Sequence, residues 1–192
     1  MAYIGMRHPV AAPVLNHTDG SAISYGTGMI LGPAVAATLT FDVADNPDYG
    51  DDIIIDNDNG VNGYSATLET NNLTPEGRAM VLGWEPSAST SPTHYDVTDA
   101  PAPTVGWGFI RVKLFKGVRT YEAFWFHKSQ FSPNGINAST KQRQIEWNHP
   151  SLNVQGLGAY IDATGKAKYF QWNEFPSESA AQTWLHDKAN IT

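Results

Sequence analysis

Residues Val105–Lys128 read VGWGFIRVKLFKGVRTYEAFWFHK. Two runs rich in β-branched and aromatic residues meet at Lys116-Gly117, the pattern of a hairpin with a two-residue loop. The turn pair is not Asn-Gly, so its type is open, but Gly117 supplies a positive φ. Setting Phe115 opposite Val118 fixes the register. Arg111 then faces Glu122, Phe109 faces Phe124 and Trp107 faces Phe126. Gly108 faces Trp125, Val112 faces Tyr121 and Ile110 faces Ala123. Such pairs contribute roughly 0.2–1 kcal/mol each, and a one-residue slip loses all of them. The base of the hairpin is apolar on both faces and is expected to be buried on both. Its tip carries Arg111, Lys113, Lys116 and Arg119.

Working outward, the 192 residues fit one domain, with an extended N-terminal arm over about residues 1–20 and a long loop over about residues 84–104. Hydrophobic residues make up 41% and aromatics 11%, enough for a core. Charged residues make up only 16%, against about 25% in a typical domain. A chain that needs few solvated charges hides surface in an assembly. The net charge of −7 argues against a protein that grips nucleic-acid phosphates. Cysteine is absent, which removes disulfides, thiolate catalysis and zinc–sulfur sites. No apolar run is long enough for a membrane span, and MAYIGMRHPV lacks the apolar core of a signal peptide. The expectation is a protein made and used without export.

The arm, with Pro9 and Pro13, starts with a strand at Ala2–Met6 and lies across either its own domain or a neighbouring subunit. Val35, Ala37, Leu39, Phe41 and Val43 alternate as a half-buried strand. Asp45–Asp52 reads as a loop around Pro47 and Gly50, and Ile53–Ile55 as a short strand closed by Asp56–Gly60. Tyr64, Ala66, Leu68 and Thr70 alternate again. Thr74, Pro75 and Glu76 open a two-turn helix that Gly83 stops. A short strand fits Tyr95–Val97 in the long loop. After the hairpin, Arg143, Ile145 and Trp147 line one face of a strand, Ser151–Tyr160 pairs back, and Lys168–Trp172 is a strand. Ser177 caps a last helix, Glu178–Asp187, with Ala180, Ala181, Trp184 and Leu185 as its buried stripe. The fold class is mainly β, a two-sheet antiparallel sandwich or barrel with one or two short flanking helices.

Asp45, Asp48, Asp51, Asp52, Asp56 and Asp58 form an acidic block with no Lys or Arg among them. Asp56–Gly60 resembles a calcium loop, but the pattern needs Gly at the sixth position and Glu at the twelfth, and both fail. The remaining readings are a solvated turn, or a surface that lines a channel or lies between assembled rings. The histidines show no metal-ligand spacing, so no metal is expected. No nucleophile elbow, phosphate loop or dinucleotide fingerprint occurs, so neither catalysis nor a cofactor is expected. The tryptophans suit core and interface packing, with a sugar-stacking platform as the rival.

Several short patterns recur in a recognisable order. Tyr3–Gly5 and the Pro9–Pro13 segment are followed by Tyr25–Gly28, Leu31-Gly32 and Tyr49–Asp52. Then come Val105–Phe109, Tyr121–Phe126, Glu174-Phe175 and the Trp184-Leu185 helix. In this order the chain resembles the major tail protein, or tail-tube protein, of long-tailed, non-contractile bacteriophages. The resemblance spans nearly the whole chain. It implies a structural virion protein, not an enzyme, polymerising as stacked rings, usually hexameric, into the tube that conducts the genome to the host. It implies copies of itself, the tape measure, the tail terminator and tail-tip components as partners, with DNA passing without tight binding. It places the protein in the virion tail, after synthesis in the host cytoplasm. On this reading Tyr3, Ile4, Trp107, Phe109, Phe124 and Phe126 form the subunit interface. The alternative is a carbohydrate-binding β-sandwich module or tail-tip adhesin.

Overall fold

The computed structural model describes residues 2–87, 93–135 and 148–192. The strands are β1 (Ala2–Asn16), β2 (Ser24–Tyr25), β3 (Met29–Ile30), β4 (Ala34–Val43), β5 (Asn46–Gly50), β6 (Ile53–Asp58) and β7 (Val61–Thr70). They continue as β8 (Glu85–Pro86), β9 (Tyr95–Asp96), β10 (Thr104–Phe115), β11 (Val118–Pro133), β12 (Ser151–Gly156) and β13 (Phe170–Phe175). Two helices, α1 (Pro75–Leu82) and α2 (Glu178–Ala189), complete the described elements. The strand expected at Arg143, Ile145 and Trp147 lies outside the described residues.

The register expected for β10 and β11 is the one found, from Trp107 opposite Phe126 to Phe115 opposite Val118. Lys116 and Gly117 both take positive φ, 48° and 82°, the backbone of a type I′ turn whose twist matches the strands. This hairpin sits at the centre of a nine-stranded antiparallel sheet ordered β2-β1-β10-β11-β12-β7-β4, with β3 on β1 and β13 on β11 off this path. β11 is long enough to pair twice along one edge: Tyr121–Phe126 with β13, and Ser129–Pro133 with β12. The sheet folds over as a sandwich, and among the described residues it does not close into a barrel.

The two faces of the central hairpin feed two cores, because successive strand residues point to opposite sides. Trp107, Phe109, Phe126 and Phe131 meet Tyr64, Leu68, Leu152 and Val154, with Val81 and Leu82 of α1 closing that layer. On the other face Ile110, Ala123 and Trp125 meet Val10 and Ala12 of β1 and Ala181, Leu185 and Ala189 of α2. The indole of Trp125 lies across bare glycines. A Cβ at Gly106 would stand 2.7 Å from its Cζ2, and one at Gly108 3.0 Å from its Cε3.

α1 starts and stops where the sequence says, and α2 starts there but runs past Asp187 to Ala189. Thr74 Oγ1 accepts from Gly77 N–H, and Gly83 ends α1 in the left-handed region. Ser177 Oγ accepts from Ala180 N–H, and Asn190 ends α2. The buried stripe of α2 is Ala181, Leu185 and Ala189, with Ala180 and Trp184 only half-buried.

Of the two places open to the N-terminal stretch, its own domain or a neighbouring subunit, it takes the first, as a paired strand and not a loose arm. β1 pairs with β10 from Ala2–Leu114 to Pro13–Val105, and Val10–Ala12 are wholly buried. The prolines do not break it, because Pro9 falls in the register shift between Arg7 and Val10, where no ladder N–H is needed. Asp45–Asp52 is not a loop either: Asn46–Gly50 is a strand paired with β6. Within the long connection after α1, β8 pairs with β9.

Two substitutions at the central hairpin should move stability in opposite directions. Gly108→Ala drives a methyl into the Phe124 carbonyl oxygen and against Leu185, 2.8 Å away, and Trp125, and should cost about 1–3 kcal/mol or more in urea unfolding. Lys116→Asn suits the left-handed turn position better and should add about 0.5–1 kcal/mol.

Candidate functional site

β5 and β6 form a two-stranded ribbon that continues the β4–β7 pair past Ala44, whose N–H donates to the Gly60 carbonyl at 2.8 Å. Asp51 and Asp52 occupy its turn, both in the left-handed region at φ 48° and 63°, which Asp tolerates better than most residues. Asp48 stands directly opposite Asp56, a like-charge cross-strand pair that repels. Asn57 donates its side-chain amide to Asp45 at 3.2 Å. Asp45, Asp48, Asp51, Asp52 and Asp56 are all exposed, and Asp58 ends the ribbon opposite Asn46. Asp56–Gly60 therefore starts in a strand and does not curl into a cation loop. Among the described residues no group of three or more His, Asp or Glu gathers as a metal set.

Between the aspartates the ribbon is apolar. Tyr49, Ile53, Ile54 and Ile55 are 63%, 65%, 58% and 67% exposed. Tyr49 pairs across with Ile54, so these two share one face while Ile53, opposite Gly50, lies on the other; Ile55 falls in the register shift between Asp48 and Tyr49. The sequence showed the aspartates and the strand, but not that the three isoleucines stand outside any core.

A second feature is a groove of about 710 Å³ where β4, β1 and the β10–β11–β13 face diverge. Aromatic rings step outward along it from the core. Trp107 stacks on Phe126 at 4.7 Å, Phe109 on Phe124 at 5.4 Å and Phe124 on Trp172 at 6.4 Å. Trp172 is exposed at the mouth. The Arg111 guanidinium lies 3.8 Å over the Tyr3 ring and 5.0 Å from that of Phe124, a cation–π arrangement.

Charge at the groove is balanced. Arg111 donates from Nε at 3.0 Å and from NH2 at 2.6 Å to Oε2 of Glu122, which is buried. Lys113 lies 3.6 Å from Glu122 and 3.1 Å from Glu174. Bonding with Glu174 raises the Lys113 pKa, and bonds from Thr120 and Lys113 hold the Glu174 carboxyl below its usual range. The basic tip expected from the sequence is thus reduced to Lys116 and Arg119, because Glu122 and Glu174 engage Arg111 and Lys113. Glu174 sits 61 residues from Lys113, and only the β11–β13 pairing brings it there.

The residues expected at a subunit interface divide. Tyr3 and Ile4 are exposed and Phe124 lines the groove, as free surface requires. Trp107 and Phe126 do not qualify, and Phe109 lines the groove but is only 9% exposed. All three are buried in this chain's own core, because the face of the hairpin that they occupy is covered by β7, β12 and α1. Of the tryptophans, Trp107 and Trp125 are buried and Trp84 and Trp184 half-buried, as core packing requires; Trp172 is not.

Among the described residues no helix is long and apolar enough to cross a membrane. A scan against family models finds no match, and none of the curated proteins compared with the chain matches it.

The two carboxylates at the groove should differ sharply on neutralisation. Glu122→Gln leaves Arg111 and Lys113 facing a neutral buried amide and should cost about 1.5–3 kcal/mol in chemical unfolding. Glu174→Gln, at the solvent edge, should cost far less.

Proposed function

We propose that the protein is the building block of a homopolymeric tube of the phage tail-tube kind. In this reading the rings stack, hexameric by resemblance, and the channel delivers the genome. The observation that carries it is the β5–β6 ribbon, whose three isoleucines are exposed with nothing among the described residues to cover them. Exposed apolar clusters of this kind mark association surfaces. A second support is the open sheet: β4 ends the strand order, so a strand from another copy could extend it. A wall pooled from several copies has a wider bore than one chain could make. Acidic side chains along it would not hold a sliding polyanion. The partners follow: further copies, the tape measure, the tail terminator and tail-tip proteins, with DNA in transit, all in the virion tail.

The rival reading, a carbohydrate-binding module or adhesin, has Trp172 in its favour, an exposed ring beside an aromatic groove. Negative-stain microscopy separates the two. The tube reading expects rings and tubes of uniform width from the purified protein. Ile53→Ser, Ile54→Ser and Ile55→Ser together should abolish them, since each buried Ile contributes about 1.5–3 kcal/mol, while the melting temperature of the free subunit holds. A wild-type protein that stays monomeric at high concentration in every salt condition, or a triple variant that still forms tubes, sinks the reading. Glycan binding that depends on Trp172, without tubes, would favour the module.

A second variant addresses the channel. Asp51→Asn with Asp52→Asn keeps turn-compatible residues, and should leave tubes intact and slow genome passage in an infection assay. Loss of tubes in that variant would assign the acidic block to ring contacts.

A further inference from the structure

His8 and His186 are 178 residues apart in sequence, yet their Nε2 atoms lie 2.7 Å apart. The ring centroids are 4.9 Å apart with planes inclined by 31°. Both side chains are half-buried, one on β1 and the other in the last turn of α2. His8 holds φ at 56° within the register shift between Arg7 and Val10. A non-glycine residue keeps such a backbone only where its surroundings enforce it. His186 is fixed by its own carbonyl, which accepts the N–H groups of Asn190 and Ile191 at the helix end.

An N–H···N bond between two imidazoles needs one bare nitrogen. When neither ring is charged, either can donate to the other. When one is charged, the cation donates and the neutral ring still accepts. When both are charged, two protonated nitrogens face each other with no acceptor, and the like charges repel. The contact therefore tolerates one added proton and not two. We propose that the His8–His186 contact is an acid-released latch, which ties the C-terminal end of α2 to the first strand and opens when both imidazoles carry charge.

The surroundings of the latch are few. On β1, Arg7 is bound to Glu178 of α2 at 2.6 Å. From β11 come Tyr121, whose charge would act on Arg7, and His127; Lys188 of α2 acts on His127. β10 and β13 contribute Gly108, Ile110 and Phe175 to this layer, none of them charged. Burial first, then His186, lower the His8 pKa against the opposing pull of Glu178. The opened form regains imidazoles that protonate near the ordinary value of about 6.5. It therefore binds more protons than the closed form, so the latch is fully stabilised above that pH and weakens as pH falls through it. His127 does not share this window: burial, with Lys188 and Lys168, pushes its pKa down to about 4.

Gly28 reports on the latch, because its N–H donates to the Ala189 carbonyl at 2.9 Å, next to the helix end. Amide exchange of the full chain should be followed by NMR from about pH 7.5 to about pH 5 with a chelator present, as protection factors corrected for intrinsic exchange. Gly28 protection should fall about tenfold per pH unit below about pH 6, one extra proton binding the opened form, while the β10–β11 ladder keeps its protection. His186→Gln, which can still donate and accept but cannot titrate, should weaken the pH dependence at Gly28, leaving only the part that burial of His8 supplies. Imidazole shifts of the unmodified protein give an independent measure. The pair should titrate in two steps, one displaced below the ordinary value. Gly28 protection that ignores pH, an equal loss in His186→Gln, or two rings titrating independently at about 6.5 would each overturn the latch.

Discussion

Two indoles on neighbouring strands, pointing to opposite faces of one sheet, set the terms for the rest of the chain. Trp107 and Trp125 are both fully buried, so each indole N–H must find an acceptor inside. Trp107 Nε1 donates to the Tyr64 hydroxyl at 3.2 Å, which in turn lies 2.5 Å from Ser129 Oγ. Trp125 Nε1 donates to the Tyr25 hydroxyl at 3.2 Å, which donates onward to the His127 carbonyl at 2.9 Å. Burial pushes both tyrosine pKa values up to about 12, so both remain neutral and able to donate. Each layer thus carries one large aromatic anchor with one polar handle. A one-residue slip of either strand would send an indole to the side that lacks its acceptor. A sheet buried on both faces also needs two covers, which is why α2 must lie on one side and β7, β12 and α1 on the other.

What the sequence made legible was local. The β10–β11 register follows from cross-strand pairing around a two-residue turn, and every pairing expected there is found. The helix caps are read from single residues, Thr74, Gly83 and Ser177. The misses were of two kinds. Pro9, Pro13 and Pro47 suggest arm or loop, yet each sits in a strand, Pro9 where the β1–β10 ladder shifts register. The rest depended on contacts between distant segments. Nothing in the local pattern places Glu174 beside Lys113 or His186 beside His8. Trp172 shows the limit of alternation as a guide. It stacks on the outermost ring of an aromatic row that begins in the core, and so reaches solvent.

The distribution of apolar surface bears on the tube reading proposed above. The central hairpin's aromatic base is consumed within the chain, so it cannot also hold subunits together. Among the exposed apolar side chains, Tyr3 and Ile4 on β1, Val35, Phe41 and Val43 on β4, and the isoleucines of the ribbon lie at the margins. These are strand edges and an extension, the parts of a sheet that another copy could reach without unfolding anything.

The ribbon itself constrains what such a contact would look like. A hairpin of two strands is marginal alone in water, and this one is further weakened by Asp48 opposite Asp56. Its apolar residues do not form a single face that could lie down on a flat surface, because Ile54 and Tyr49 point one way and Ile53 the other. Laying one face on a partner would leave the other wet. Only insertion between two surfaces covers both, and a cleft between adjacent copies, or between stacked rings, supplies two surfaces at once. The aspartates at the turn and base are then kept at the rim, where water still solvates them, while the isoleucines occupy the desolvated middle. Order in the ribbon and association of the subunits would in that case be one equilibrium, with the burial of the isoleucines offsetting the repulsion that the free hairpin carries.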